Sequence, residues 1–109
     1  MKGLPLSRAA SGLLRALLQR TGEDKHRILL TGIRSTDWQS LTFTGERHVL
    51  VLRFVGDQPE ALARRLTGGL AEAEFNIPGH IVADIAAGPG VAGENGSVMV
   101  VIEALTISE

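Results

Sequence analysis

The chain has 109 residues, 44% hydrophobic and 21% charged, with a formal net charge of −1 and no cysteine. That length predicts one domain, 1–109, able to bury its own hydrophobic core. The missing cysteines exclude disulfides, thiol nucleophiles and thiolate metal sites. No apolar run is long enough to span a bilayer, and Arg8, Arg15 and Arg20 interrupt any secretory leader. The expectation is a cytoplasmic domain that stays off the membrane. Residues 1–55 carry nine Lys/Arg and four Asp/Glu, whereas 56–109 carry two and eight. Two halves of opposite sign complement each other within one fold, and if they stay apart on the surface they favour self-association.

The first predicted element is a helix over about 7–20, capped by Ser7 and stopped near Gly22. Ala10, Leu13, Leu14, Leu17 and Leu18 fall on one face, with Arg8, Ser11, Arg15 and Gln19 opposite. A basic amphipathic helix can lie on a membrane, but packing on a core accounts for this one without it. Residues 27–35 read as a strand with a bulge at Gly32, and Thr36-Asp37 as a turn.

Trp38–Thr44 and Arg47–Val55 then read as a hairpin joined by Gly45-Glu46, a Gly-X pair suited to a type II′ turn. Its core face is Leu41, Phe43, His48, Leu50, Leu52 and Phe54. The outer face is Ser40, Thr42, Arg47, Val49, Val51 and Arg53. Asp57 caps the second helix and Glu60 occupies the capping-box position. Leu62, Leu66, Leu70 and Ala73 form its buried stripe, with Gly68-Gly69 inside at a cost of about 2 kcal/mol.

Asn76-Ile77-Pro78-Gly79 is a turn, and His80–Ala87 a strand with Ile81, Ala83 and Ile85 on one side. Residues 88–97 read as a glycine-rich loop, and Ser97–Ile107 as a central strand, apolar on both faces. The order is α-β-β-β-α-β-β. The fold class is α+β: a two-layer sandwich, an antiparallel five-stranded sheet with two helices on one face.

Motifs narrow the function less than the fold. Gly88-Pro89-Gly90-Val91-Ala92-Gly93 matches a dinucleotide fingerprint letter for letter. A strand follows, not the helix whose amides hold a pyrophosphate, so no cofactor is implied. The α-β-β-β-α opening suggests a double-stranded-RNA module, but its second helix begins with Asp57 and Glu60 and lacks the basic face that phosphates need. Nucleic acid is therefore not an expected partner.

His80 and Asp84 share a strand face about 13 Å apart, too far for one metal ion. Glu103 would fall between them if Ile85 paired with Val100, giving a His80–Glu103–Asp84 row with Arg53 nearby. That row, or His48 on the core face, is the basis of one reading: a small hydrolase or isomerase. The other reading is a non-enzymatic binding or assembly module. Val49, Val51, Val82, Val101, Leu105 and Ile107 point away from the helices in a consistent register, and so broad an apolar patch calls for a cover. A homodimer through that face is the expected form; a partner protein or a small apolar ligand is the rival cover. No metal site is expected.

Two strings, Asp37-Trp38-Gln39-Ser40-Leu41-Thr42-Phe43-Thr44-Gly45-Glu46-Arg47-His48 and Phe75-Asn76-Ile77-Pro78-Gly79-His80-Ile81-Val82-Ala83-Asp84-Ile85, resemble small uncharacterised bacterial proteins of alphaproteobacterial type. The resemblance covers about a fifth of the chain. It implies a bacterial cytoplasmic domain and carries no activity, substrate or site.

Overall fold

In the computed structural model, which describes residues 6–109, Ser7 starts helix α1 (Arg8–Gln19). Met1 to Pro5 of the expected domain lie outside the described residues. The Ser7 Oγ accepts from the Ala10 amide at 3.1 Å, satisfying one orphan donor of the first turn. Leu13 and Leu17 are fully buried while Arg8, Arg15 and Gln19 remain exposed, as the helical spacing requires. A 3-10 stretch, Gly22–Arg27, leads into the sheet.

One 12-residue strand, β1 (Ile28–Gln39), replaces the two strands and intervening turn expected there. Thr36 and Asp37 pair with Arg47 and Glu46 inside the ladder. The chain reverses at Ser40–Phe43 instead. There the Ser40 amide donates to the Phe43 carbonyl at 2.8 Å, and Ser40 Oγ accepts from the Phe43 amide at 3.1 Å. Strand β2 (Thr44–Phe54) follows, with Gly45 and Glu46 inside it, so the predicted turn at that pair is overturned.

Gly45 serves a close approach between strands. A Cβ there would lie 2.0 Å from the Thr106 carbonyl oxygen. Leu41 and Phe43 stand at the hairpin tip, 104% and 53% exposed, and do not reach the core. The parity of β2 itself is as expected: His48, Leu50, Leu52 and Phe54 are buried. The bulge in β1 falls between Leu30 and Gly32, at Thr31.

Helix α2 (Pro59–Thr67) begins without the predicted cap. Gln58 takes the N-cap position in the left-handed region, φ 51°, and no side chain caps the helix. Asp57 lies one residue before the N-cap, and its backbone carbonyl accepts from the Arg27 guanidinium. Leu62, Leu66 and Leu70 are buried and Ala73 is half-buried. Gly68-Gly69 does not sit inside the helix; it ends it, with Gly69 at φ 63°. The left-handed position after a helix is where glycine is favoured, so the expected interior penalty does not arise.

The Ile77–His80 turn is type II, with Pro78 second, Gly79 third at φ 79°, and the His80 amide donating to the Ile77 carbonyl at 3.0 Å. Strand β3 (His80–Ala87) has the predicted bounds and a bulge that was not predicted. The register passes from Val82↔Thr106 to Asp84↔Leu105, leaving Ala83 extra. One added residue reverses the face of everything beyond it. Ile81 therefore points outward, 51% exposed, while Val82 packs on the core and Ile85 is buried.

The glycine-rich run contains a two-residue strand, β4 (Val91–Ala92), that pairs with β5 (Val98–Ser108). The sheet order is β1-β2-β5-β3, with β4 continuing along β5. All pairings are antiparallel and β5 is central, as its two apolar faces require.

The α+β class, the five-stranded antiparallel sheet and the two helices on one face stand as expected, with β4 completing the count that the merged β1 reduces. Leu13 and Leu17 of α1 and Leu62 and Leu66 of α2 meet Leu50, Phe54 and Ile102 of the sheet in one core. Each such side chain contributes about 1.5–3 kcal/mol by leaving water. The sheet's outer edges are unequal. β1 runs unbroken in hydrogen bonding apart from its bulge. The β3–β4 edge is interrupted by Gly88-Pro89-Gly90, where Gly88 donates to Val101 at 2.8 Å and Pro89 has no amide hydrogen to offer.

Candidate functional site

The core-facing positions of β1, β2 and β5 bring three polar residues together under the start of α1. Ser35 pairs with His48, and Thr106 lies on the next strand. His48 is 1% exposed. Its Nδ1 is 2.7 Å from Ser35 Oγ and its Nε2 is 2.8 Å from Thr106 Oγ1. A neutral imidazole has one donor and one acceptor nitrogen, and either hydroxyl can play either part. The pair therefore satisfies the ring without charging it.

Burial is the main influence holding the His48 pKa below the ordinary imidazole value; nearby His80 adds to it and Glu46 opposes it. Glu46 Oε1 lies 3.8 Å from Nε2 and accepts from Ser7 Oγ at 2.6 Å. One hydroxyl thus caps α1 and anchors it to β2, with a carboxylate at the positive end of the helix dipole.

A cavity of about 390 Å³ opens beside this network, lined among others by Ser7, Arg8, Asp37, Glu46, His80 and Thr106. His48 itself sits behind Thr106 and Glu46. His80 reaches the cavity with Nδ1 3.2 Å from the Pro78 carbonyl. The other two candidate residues are elsewhere. Asp84 pairs with Leu105, and Glu103 with Ala86, on the opposite face of the sheet. Ile85 pairs with Ala104 rather than Val100, so the His80–Glu103–Asp84 row does not form. Arg53 is also engaged away from it, with Nε 3.1 Å from Ser97 Oγ and Nη2 3.5 Å from Glu94. Among the described residues, no three His, Asp or Glu side chains gather as a metal site.

The face of the sheet away from the helices is the second candidate. Val49, Val51, Val101, Leu105 and Ile107 occupy it in register across β2 and β5, joined by Ile81 from β3. Val101 is 40% exposed and Leu105 only 9%. Val82, expected there, is turned to the core by the Ala83 bulge. Charges on this face are segregated. Arg34 and Arg47 stand on β1 and β2, Asp84 and Glu103 on β3 and β5, all four exposed. Arg47, His48, Asp84 and Glu103 line a depression of about 240 Å³, while the His48 ring nitrogens are bonded to Ser35 and Thr106 on the core-facing side. Among the described residues, none of Arg34, Arg47, Asp84 and Glu103 forms an ion pair within 4.0 Å.

Sequence reasoning missed Glu46, Ser7, Ser35 and Thr106 as a unit. The one available signal was a threonine at a core-parity position of an otherwise apolar strand, since a buried hydroxyl needs a partner. Finding that partner requires the register between residues 48 and 106.

No protein-family model matches the chain, and no curated protein matches it. Among solved structures, a chain of "Virion of native gene transfer agent (GTA) particle" has a similar fold, with TM-score 0.60 and 15% identity. The similarity covers 91% of this chain and 94% of that one. At this identity the likeness establishes a shared fold.

Proposed function

We propose that the chain is a non-enzymatic assembly module, a structural subunit of a virion-type particle such as a gene transfer agent. The observation that carries this reading is the end-to-end likeness to a chain of such a particle, 91% of one against 94% of the other. A match of that extent spans nearly the full length of both chains compared. The open sheet face adds independent support, because an apolar surface spanning several strands is suited to contact with other protein chains. In this reading the subunit is made in a bacterial cytoplasm, in keeping with the family resemblance and the cysteine-free composition, and self-associates, as a homodimer in its simplest form.

A hydrolase or isomerase built on His48 or His80 with Asp84 and Glu103 has no supporting geometry. The two acids lie on the far side of the sheet from the two histidines, and His48 is closed off by its own partners. The histidine network reads as structure: it ties β1, β2 and β5 together, beside the Ser7–Glu46 bond that fastens α1.

The test is fractionation of particles from the producing cell. The chain should co-sediment with DNA-containing particles in a fixed ratio to the other subunits. Deleting its gene should abolish intact particles. Intact particles that lack the chain would refute the proposal.

A further inference from the structure

The open sheet face carries a charge pattern that selects its own partner and orientation. We propose that two copies of this chain pack face to face about a two-fold axis parallel to the strands, the basic β1–β2 half of each over the acidic β5–β3 half of the other. This rests on the assembly reading above and specifies the contact.

The sheet order is β1-β2-β5-β3, so the midline of the face runs between β2 and β5. A two-fold axis along that midline lays β1 over β3 and β2 over β5. It preserves position along the strands, and aligned sheet packing rotates the copies by only about 30°. Arg34 pairs with Val49, which pairs with Glu103, which pairs with Ala86, so these four form one row. Arg47, Leu105 and Asp84 form the next row. Arg34 of one copy thus lies over Ala86 of the other and Arg47 over Leu105, each one strand, about 4.8 Å, to the side of Glu103 and Asp84 and within reach of a long arginine side chain, and the symmetry repeats the contact. The alternative two-fold, perpendicular to the strands, would lay arginine over arginine and carboxylate over carboxylate. Like charges facing each other in an interface are strongly disfavoured, so the charge pattern excludes that arrangement.

Val49, Val51, Val101 and Ile107 fill the centre between the two sheets. Four strands about 4.8 Å apart, paired over roughly eight residues of about 3.3 Å, make a patch of roughly 500 Å² per copy. The total of roughly 1,000 Å² is at the lower limit of a specific interface. The dimer is therefore concentration-dependent, of the strength that repeated contacts in a particle can multiply.

Charge exchange tests the proposal by sedimentation equilibrium across micromolar to about millimolar protein. The wild type should move from 11.6 kDa toward twice that mass. Its dissociation constant should rise with salt, because exposed charges are screened within about 8 Å at physiological ionic strength. R34E/R47E leaves Arg53, held by Glu94 and Ser97, as the one basic side chain of these strands' outer face, and D84K/E103K makes the face wholly basic. Each should lose at least about 100-fold in self-affinity, and an equimolar mixture of the two should recover the dimer.

All four side chains are exposed, so circular dichroism should report an unchanged fold. If a variant misfolds, the salt dependence of the wild type still decides. A wild type that stays monomeric at about millimolar concentration, a salt-insensitive dimer, or variants that pair with themselves as well as with each other would each overturn the proposal. A monomer that nonetheless co-sediments with particles overturns this contact and leaves the assembly role standing. A charge-coded dimer missing from every particle does the reverse.

Discussion

The two ends of α1 are held to the rest of the molecule by opposite means. At its start, Ser7 Oγ donates to Glu46, whose carboxylate lies 3.8 Å from a histidine 1% exposed, His48, itself hydrogen-bonded to Ser35 and Thr106. Beyond its far end, arginines do the holding. Arg20 Nε donates to the Leu66 carbonyl at 2.7 Å and its Nη2 to the Gly68 carbonyl, capping α2 from outside. Arg65 donates to Asp24 at 2.8 Å and to the Thr21 carbonyl at 2.9 Å.

The difference shows how burial changes what a polar contact is worth. Around the buried His48 the hydrogen-bond partners are neutral hydroxyls, because an uncompensated charge there would be costly, and the Glu46 carboxylate stays partly exposed at the rim. The outer clamp can use charges because water screens them, which also limits how much each contributes. One end is therefore stiff and sensitive to protons, the other adaptable and sensitive to salt.

Removing His48 should break this contrast most. His48→Ala strands the buried Thr106 hydroxyl and opens a void, at about 3 kcal/mol, read as a lower urea midpoint with an unchanged slope. A loss under about 1 kcal/mol would mean that water replaces the ring, and that the network is not the anchor described. Arg20→Ala should cost less, about 1 kcal/mol, because the two carbonyls it leaves at the end of α2 can turn to solvent. If instead it matched His48→Ala, the two ends would be equivalent and the comparison would fail.

Acid separates the two ends by window. The unfolded chain binds a proton at His48 near the ordinary imidazole value of about 6.5, while the folded chain resists it. The stability from this site is present above about pH 6.5 and is lost as pH falls toward the depressed folded value. Asp24 is held below the ordinary carboxylate value of about 3.8, first by its hydrogen bond from Arg65, so its contribution fades only below that pH. Urea midpoints should therefore fall between pH 7 and 5 in the wild type, and that part of the slope should disappear in His48→Gln. An identical slope in His48→Gln would assign it to another group.

Much of this architecture was legible in the residues. The cap at Ser7, the leucine stripe of α1, the alternation of His48-Leu50-Leu52-Phe54 and the central place of the last strand all follow from local chemistry that tertiary packing leaves alone. The errors share a cause. Gly45, read as a turn former, is small because Thr106 passes close by, and Leu41 and Phe43, read as strand residues, crown a loop. Thr36-Asp37 has the composition of a turn, yet the ladder carries straight through it. In each case a residue type with two uses was given the local one.

At Ala83 no residue type marks the bulge, and that single insertion separates His80 from Asp84 and moves Val82 to the core. The candidate site suffered most, because its residues come from strands whose relative register the sequence alone does not specify.

The unequal edges of the sheet bear on how copies of this chain could add to one another. Stacking copies edge to edge, β1 of one against the β3–β4 edge of the next, would be a head-to-tail contact that repeats without end. Pro89 withholds a donor from that second edge and the Ala83 bulge bends it, two familiar ways of refusing a new strand. Only β1 remains as a long template, and β1 against β1 closes on itself after two copies. Among the described residues, the strand edges thus offer no backbone route to an open fibre of copies, and any contact between copies falls to the faces of the sheet and helices.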